Sequence, residues 1–273
     1  MIIRGMPSGE YHTRDEVSNS FLTNWKRNAL KAIWERENPS GQTPAMEMGE
    51  RVHLAVLEPD IFASRYHRCR KFDGRKTADK EEKAALIEEY GEGNLLSFER
   101  HDEILSISAA VQSHPRARAL LEKATDREVS VFWTDSESGL SCKCRIDAMG
   151  GVILADLKTT QDASVEAFQR SIFEYGYHRQ AAMYFRACKA LGIDIKHFSI
   201  IAVEKEAPFG CNVFSLDEAA IHQGDQELTD LMKQVQLWQN TGHVPGYSDT
   251  VISASLPEWA WKRIEFEGAK EAA

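Results

Sequence analysis

The sequence predicts a single mixed α/β domain over residues 1–273, with a mainly helical part over 1–125 and a sheet-bearing core over 126–273. Three observations carry this. Phe21, Leu22, Trp25, Leu30, Ile33 and Trp34 recur at helical spacing near the start. After residue 125 the texture changes to short apolar or alternating runs, rich in Val, Phe and Trp and joined by Gly-containing turns. Beyond residue 160, helical patterns and short apolar runs take turns.

Ser18 or Ser20 can cap a helix running to about Glu37, where Pro39-Ser40-Gly41 breaks it. A second helix is expected over Pro44 to Leu57, with proline in its first turn and Pro59 beyond its end. Arg65 to Lys80 is polar, basic and contains Gly74, so a loop is expected. Helices are expected near Lys80–Tyr90, Ser97–Ser113 and Pro115–Lys123. Glu128–Thr134, Leu140–Met149 and Val152–Thr159 read as three strands. The turns Asp135-Ser136-Glu137-Ser138-Gly139 and Gly150-Gly151 join them into an antiparallel meander. Helices follow at about Ser164–Tyr175 and His178–Leu191. His197–Glu204 is mostly apolar, hence a central strand. A short strand at Cys211–Ser215 and a long amphipathic helix over Leu216–Asn240 come next. Leu256-Pro257-Glu258-Trp259-Ala260-Trp261 reads as a docking segment.

Composition narrows the function. The 273 residues are 42% hydrophobic and 27% charged, the profile of a globular protein with a sizeable core. No apolar run approaches the roughly 20 residues that span a bilayer. Met1 to Glu10 lacks an apolar signal core. The five cysteines are odd in number and widely spaced, so reduced thiols and a cytoplasmic location are expected, without a membrane partner. The formal charge of −9 speaks at first against nucleic acid. Yet Arg65 to Lys80 holds seven cations and two carboxylates, a local +5. A duplex is expected to pass there, with Arg75 and Lys76 as contacts.

The sharpest chemical pattern is Asp147 followed by Asp156-Leu157-Lys158. Asp147 lies near the end of one expected strand, and Asp156 and Lys158 lie two residues apart on the next, hence on one face. A hairpin places two carboxylates and an ammonium together. Carboxylates are hard ligands for Mg²⁺, and the lysine can orient a water and offset phosphate charge. This is a minimal kit for metal-assisted phosphodiester hydrolysis. Gly49 and His53 lie one helical turn apart, which suggests close backbone approach at the glycine and a ligand at the histidine. Tyr177, Gln180 and Tyr184 share a helical face, and Glu128 opens the first strand with a further carboxylate. Arg145 shares a strand face with Asp147, either as a phosphate contact or as a salt-bridge partner. Cys142-x-Cys144 fits core packing better than a metal site.

In order along the chain, Glu10-Tyr11-His12, Val17-Ser18-Asn19-Ser20, Met48-Gly49-Glu50-Arg51-Val52-His53 and Val56-Leu57-Glu58-Pro59 resemble the nuclease domain of the RecE family, exonuclease VIII of recombination-proficient prophages. So do Lys80-Glu81-Glu82-Lys83-Ala84, Gly139 to Asp147, Asp156-Leu157-Lys158-Thr159-Thr160, Tyr177-His178-Arg179-Gln180 and Ser255 to Ala260. The resemblance implies the restriction-endonuclease-like PD-(D/E)xK core, shared with lambda exonuclease and RecB-type nucleases. It implies a 5′→3′ exonuclease on linear double-stranded DNA that leaves a 3′ single-stranded overhang for strand annealing. It also implies Mg²⁺ or Mn²⁺, two per active site, a toroidal trimer or tetramer, and a RecT-like single-strand annealing partner. Carried over, His53, Asp147, Asp156 and the Leu157 carbonyl are metal ligands. Glu128 is an accessory carboxylate, Lys158 positions and activates the water, and Gln180 supports the nucleophile. Arg14, Ser18, Ser20, Tyr177 and Arg179 are further candidate DNA contacts. Two other readings stay open: a DNA endonuclease of the same fold, and a non-catalytic DNA-binding or assembly module. An Fe–S nuclease is excluded, since no cysteine follows Cys211.

Overall fold

A computed structural model describes residues 1–248 and 250–271. The chain opens with β1 (Ile2–Ile3) and α1 (Ser8–Thr13), then α2 (Asn19–Arg27), α3 (Ala29–Glu37), α4 (Pro44–Leu57) and α5 (Pro59–Arg65). Next come β2 (His67–Cys69), α6 (Thr77–Tyr90), β3 (Leu95–Ser97), α7 (Phe98–Ser113) and α8 (Pro115–Lys123). The core follows with β4 (Asp126–Thr134), β5 (Ser141–Gly150), β6 (Ile153–Thr160), α9 (Val165–Glu174) and α10 (Tyr177–Ala190). β7 (His197–Glu204), β8 (Cys211–Ser215), α11 (Glu218–Thr241) and α12 (Glu258–Glu271) complete it.

One sheet carries the order β1-β4-β5-β6-β7-β8. β4, β5 and β6 form the expected antiparallel meander. α9 and α10 then carry the chain over to β7, which lies parallel to β6. Successive residues of β7 explain its apolar run: Phe198, Ile200 and Ala202 enter one core with α2, α10 and α11, while Ile201 and Val203 enter a second core with α4, α7 and α8. The sheet is thus covered on both faces, as in a three-layer α/β domain.

Three expectations change. The single helix over Ser18 to Glu37 is two, because Asn28 is extended (φ −164°, ψ 107°) and its side chain caps α3 by accepting from Lys31 N at 3.0 Å. The expected loop at Arg65–Lys80 contains β2, paired in parallel with β3, and the start of α6. Its charge is also more heavily compensated than the local count suggests. Arg68 pairs with Asp102, Arg70 with Asp79 and Glu82, and Lys71 with Glu99. Arg75, Lys76 and Lys80 are exposed and make no salt bridge among the described residues. The Leu256–Trp261 segment leads into α12 with Trp259 and Trp261 exposed. All five cysteines are free, and no described helix is long and apolar enough to cross a membrane.

Candidate active site

The site lies where β5 and β6 part. Their ladder runs through only three pairs, Gly150↔Ile153, Met149↔Leu154 and Ala148↔Ala155. The next register position would set Asp147 opposite Asp156, and there the strands diverge. The Leu157 N–H, lacking a strand partner on that side, donates instead to Asp147 Oδ2 at 2.7 Å. β5 is irregular at the same point: Ile146 packs in one core and Ala148 in the other, although they lie two residues apart. Across the β4–β5 ladder, Glu128 has φ +48°, a left-handed conformation that is strained for a non-glycine residue. Arg127↔Ala148 and Val129↔Ile146 remain paired on either side of it.

These irregularities bring three ligand groups together. His53 from α4, Glu128 and Asp147 offer donor atoms that all lie within 4.8 Å of one another. His53 Nδ1 stands 3.5 Å from Asp147 Oδ2. Burial, aided by the Lys158 charge, pushes the imidazole below its ordinary pKa, so it is a neutral donor at neutral pH. Burial and the neighbouring Asp156 push Asp147 well above the usual carboxylate range. This pair of carboxylates has more negative charge than its protein partners neutralise.

Asp156 faces the α10 side. Its Oδ1 accepts from Gln180 Nε2 at 2.9 Å and lies 3.2 Å from Tyr184 Oη. The tyrosine hydroxyl also reaches Arg145 O at 2.7 Å and accepts from Gln180 Nε2 at 2.7 Å. Asp156 Oδ2 is 2.5 Å from Lys158 Nζ but is buried without an aligned hydrogen bond. Burial alone would lower the Lys158 pKa, yet Asp156 and Asp147 outweigh it and hold the group as an ammonium. Its Nζ sits 5.1 Å above the Tyr177 ring.

Two cavities adjoin the fork. One, of about 490 Å³, contains His53, Glu128 and Asp147 together with Glu50 and Glu58. The other, of about 460 Å³, contains Lys158, Gln180, Tyr177, Ser18 and Ser20. His12 and Arg145 line both. Val17 bridges to Cys142 of β5, which sets α2 beside the second cavity. Ser18 caps α2 by accepting from Phe21 N at 3.2 Å.

Other expected contacts fall elsewhere. Arg179 is 2% exposed and is not a DNA contact: its guanidinium bonds Glu227 Oε2 at 2.9 Å and Thr23 Oγ1 at 3.1 Å. Burial works against the Glu227 charge, but Lys26, Arg179 and His178 more than compensate and bring its pKa down to about 2. Arg145 takes the salt-bridge alternative, pairing with Glu128 and donating to Met6 O at 3.0 Å. Arg14 pairs with Glu16 and lies outside both site cavities. Gly49 needs no special closeness, because an added Cβ would meet only Thr159 Oγ1 at 3.8 Å. Sequence reasoning did not single out His12 or Lys143. It placed Tyr184 on one helical face with Tyr177 and Gln180 but gave it no role. Its position one turn after Gln180 was the available signal.

A family model described as a PDDEXK-like domain of unknown function (DUF3799) matches residues 22–254. The chain belongs to this family. Among solved structures, the PDDEXK-like chain is similar to a Eubacterium rectale protein named "Putative exonuclease", at 12% identity and TM-score 0.60, covering 94% of this chain and 96% of that one. It also matches SSO0001 at 12% identity and TM-score 0.33, covering 80% and 78%, a likeness too low to use. No curated protein matches. The PDDEXK-like family supports nuclease chemistry. The donor set also fits a divalent cation. One neutral imidazole and two carboxylates converge, and beside them Asp156 adds a buried carboxylate whose Oδ2 has Lys158 Nζ as its counter-charge at 2.5 Å.

Proposed function

We propose that this chain is a metal-dependent exodeoxyribonuclease of the RecE type, degrading one strand of linear duplex DNA in the 5′→3′ direction. The observation that carries the reading is the convergence of His53, Glu128 and Asp147 beside the Asp156–Lys158 pair, at the junction of an acidic and a cationic cavity. In this reading His53, Glu128, Asp147 and Asp156 hold Mg²⁺ or Mn²⁺, two per site, with the Leu157 carbonyl as a further ligand. A bound cation supplies Lewis acidity and lowers the pKa of the attacking water. Lys158, kept charged by Asp156, orients that water and offsets phosphate charge. Gln180 and Tyr184 hold Asp156 by its Oδ1, which leaves Oδ2 on the side of Lys158 and the reacting centre. Ser18, Ser20 and Tyr177 face the cavity that receives the strand end, and Arg75 and Lys76 contact the duplex farther off. The 3′ overhang left behind is the substrate of a RecT-like annealing protein, and the chain works in the cytoplasm as a toroidal homo-oligomer.

The test is Mg²⁺-dependent digestion of 5′-phosphorylated linear duplex, with covalently closed circles alongside. Asp156→Ala is expected to cut at least about 10²-fold more slowly while still binding DNA. Equal rates for the two proteins would remove the site. Cleavage of the closed circles would replace the exonuclease reading with an endonuclease.

A further inference from the structure

We infer that Tyr175 is a stacking platform for an unpaired nucleobase at the end of a DNA strand, an inference that rests on the nuclease reading of the neighbouring site. Tyr175 caps the C-terminus of α9, and the residue is 49% exposed. It stacks against Tyr177, with centroids 5.8 Å apart and planes at 29°, and Tyr177 in turn lies under Lys158 Nζ. Both tyrosines line the second cavity. The Tyr175 hydroxyl makes no hydrogen bond among the described residues, so its polar end does not account for its position.

The charge around it identifies the ligand. Arg27, Lys143, Arg145 and Lys158 line this cavity, and no Asp or Glu does, in a chain whose net charge is −9. Arg27 is exposed and has no salt bridge among the described residues. Lys143 is buried, and its ammonium is held by the carbonyls of Tyr11 and Arg14 at 2.8 and 2.6 Å, with no carboxylate in contact. Lys158 and Arg145 are paired with Asp156 and Glu128 behind the lining, but neither carboxylate lines this cavity, and a surface that presents cations and no carboxylate beside stacked, half-open rings matches a phosphate chain carrying bases. A base inside a duplex has both faces covered by its stack and could not use the ring, whereas an unpaired base at a frayed or single-stranded end can lie on it.

The platform is also built to stay put. Gly176 follows Tyr175 with φ +70°, and a Cβ there would stand 2.1 Å from Arg179 Nη2. Buried Arg179 therefore fills the space under the turn that presents the ring.

The test measures binding with chelator present, so that no cleavage occurs. Fluorescence anisotropy is read for 5′-phosphorylated oligothymidylate and for an abasic strand of equal length. Tyr175→Ala should weaken oligothymidylate binding about tenfold and leave abasic binding unchanged, with Tyr175→Phe close to the native protein. Unchanged affinity for both strands, equal losses on both, or no binding by the native protein would each overturn the platform. A protein that binds in this way but cuts no DNA when Mg²⁺ is restored sinks the nuclease reading and leaves the platform standing.

Discussion

Glu128 shows how a single residue trades stability for chemistry. Its left-handed backbone turns a carboxylate toward His53 and Asp147 in the middle of an otherwise regular ladder. Such strain costs on the order of 1–3 kcal/mol, and glycine relieves much of it. Glu128→Gly and Glu128→Ala both remove the carboxylate that pairs with Arg145, but only glycine relieves the strain, so Glu128→Gly should be the more stable of the two by an equivalent of about 1 kcal/mol while nuclease activity drops in both. Equal midpoints in urea titration would show that the strain is not there. The sequence offered Glu128 as an accessory carboxylate at the opening of a strand, but nothing in it showed the left-handed backbone. Asp147, Asp156 and Lys158 were legible because a tight hairpin and a two-residue spacing fix their relation locally. Arg179 misled for the opposite reason. Its motif neighbours touch the site, but the carboxylate that claims its own charge is Glu227, 48 residues away on another helix.

At the scale of elements, strands whose apolar run settles their burial were read correctly, β7 to the residue. β1 and β2, of two and three residues, are too short to show any period and exist only because a neighbouring strand pairs with them. The break between α2 and α3 hid for a different reason: the apolar spacing continues across Asn28, and only the cap reveals two helices. The contact between α10 and α11 is a further case. Gly224, inside α11, would place a Cβ 2.3 Å from His178 O of α10. Rigid backbone stands in the way, so Gly224→Ala must push the helices apart. The expected cost is toward the upper end of about 1–3 kcal/mol, read as a lower urea midpoint with unchanged slope. A midpoint equal to that of the native protein would show that the helices can separate freely.

For the whole molecule, the fork divides the sheet into two leaves, with Glu128 and Asp147 on one and Asp156 and Lys158 on the other. Cation binding at the fork would tie the leaves together and stabilise the folded chain by mass action. At a hundred times the dissociation constant this is about 2.7 kcal/mol, which for a chain of this size is roughly 5–10 °C in melting temperature. Mn²⁺ should give that shift without DNA, chelator should abolish it, and His53→Ala should flatten it. An unchanged melt at saturating metal would count against the ligand set.

Arg145 belongs to both cavities, and its guanidinium is tied to Glu128, one of the three convergent ligands. With a cation bound, Glu128 would serve two positive partners at once. Sharing its charge with that cation would loosen its hold on the arginine, whose charge would then be free for a phosphate on the other side. Under the proposed function, metal and nucleic acid would be thermodynamically linked through this one carboxylate, each raising the other's affinity by the same factor.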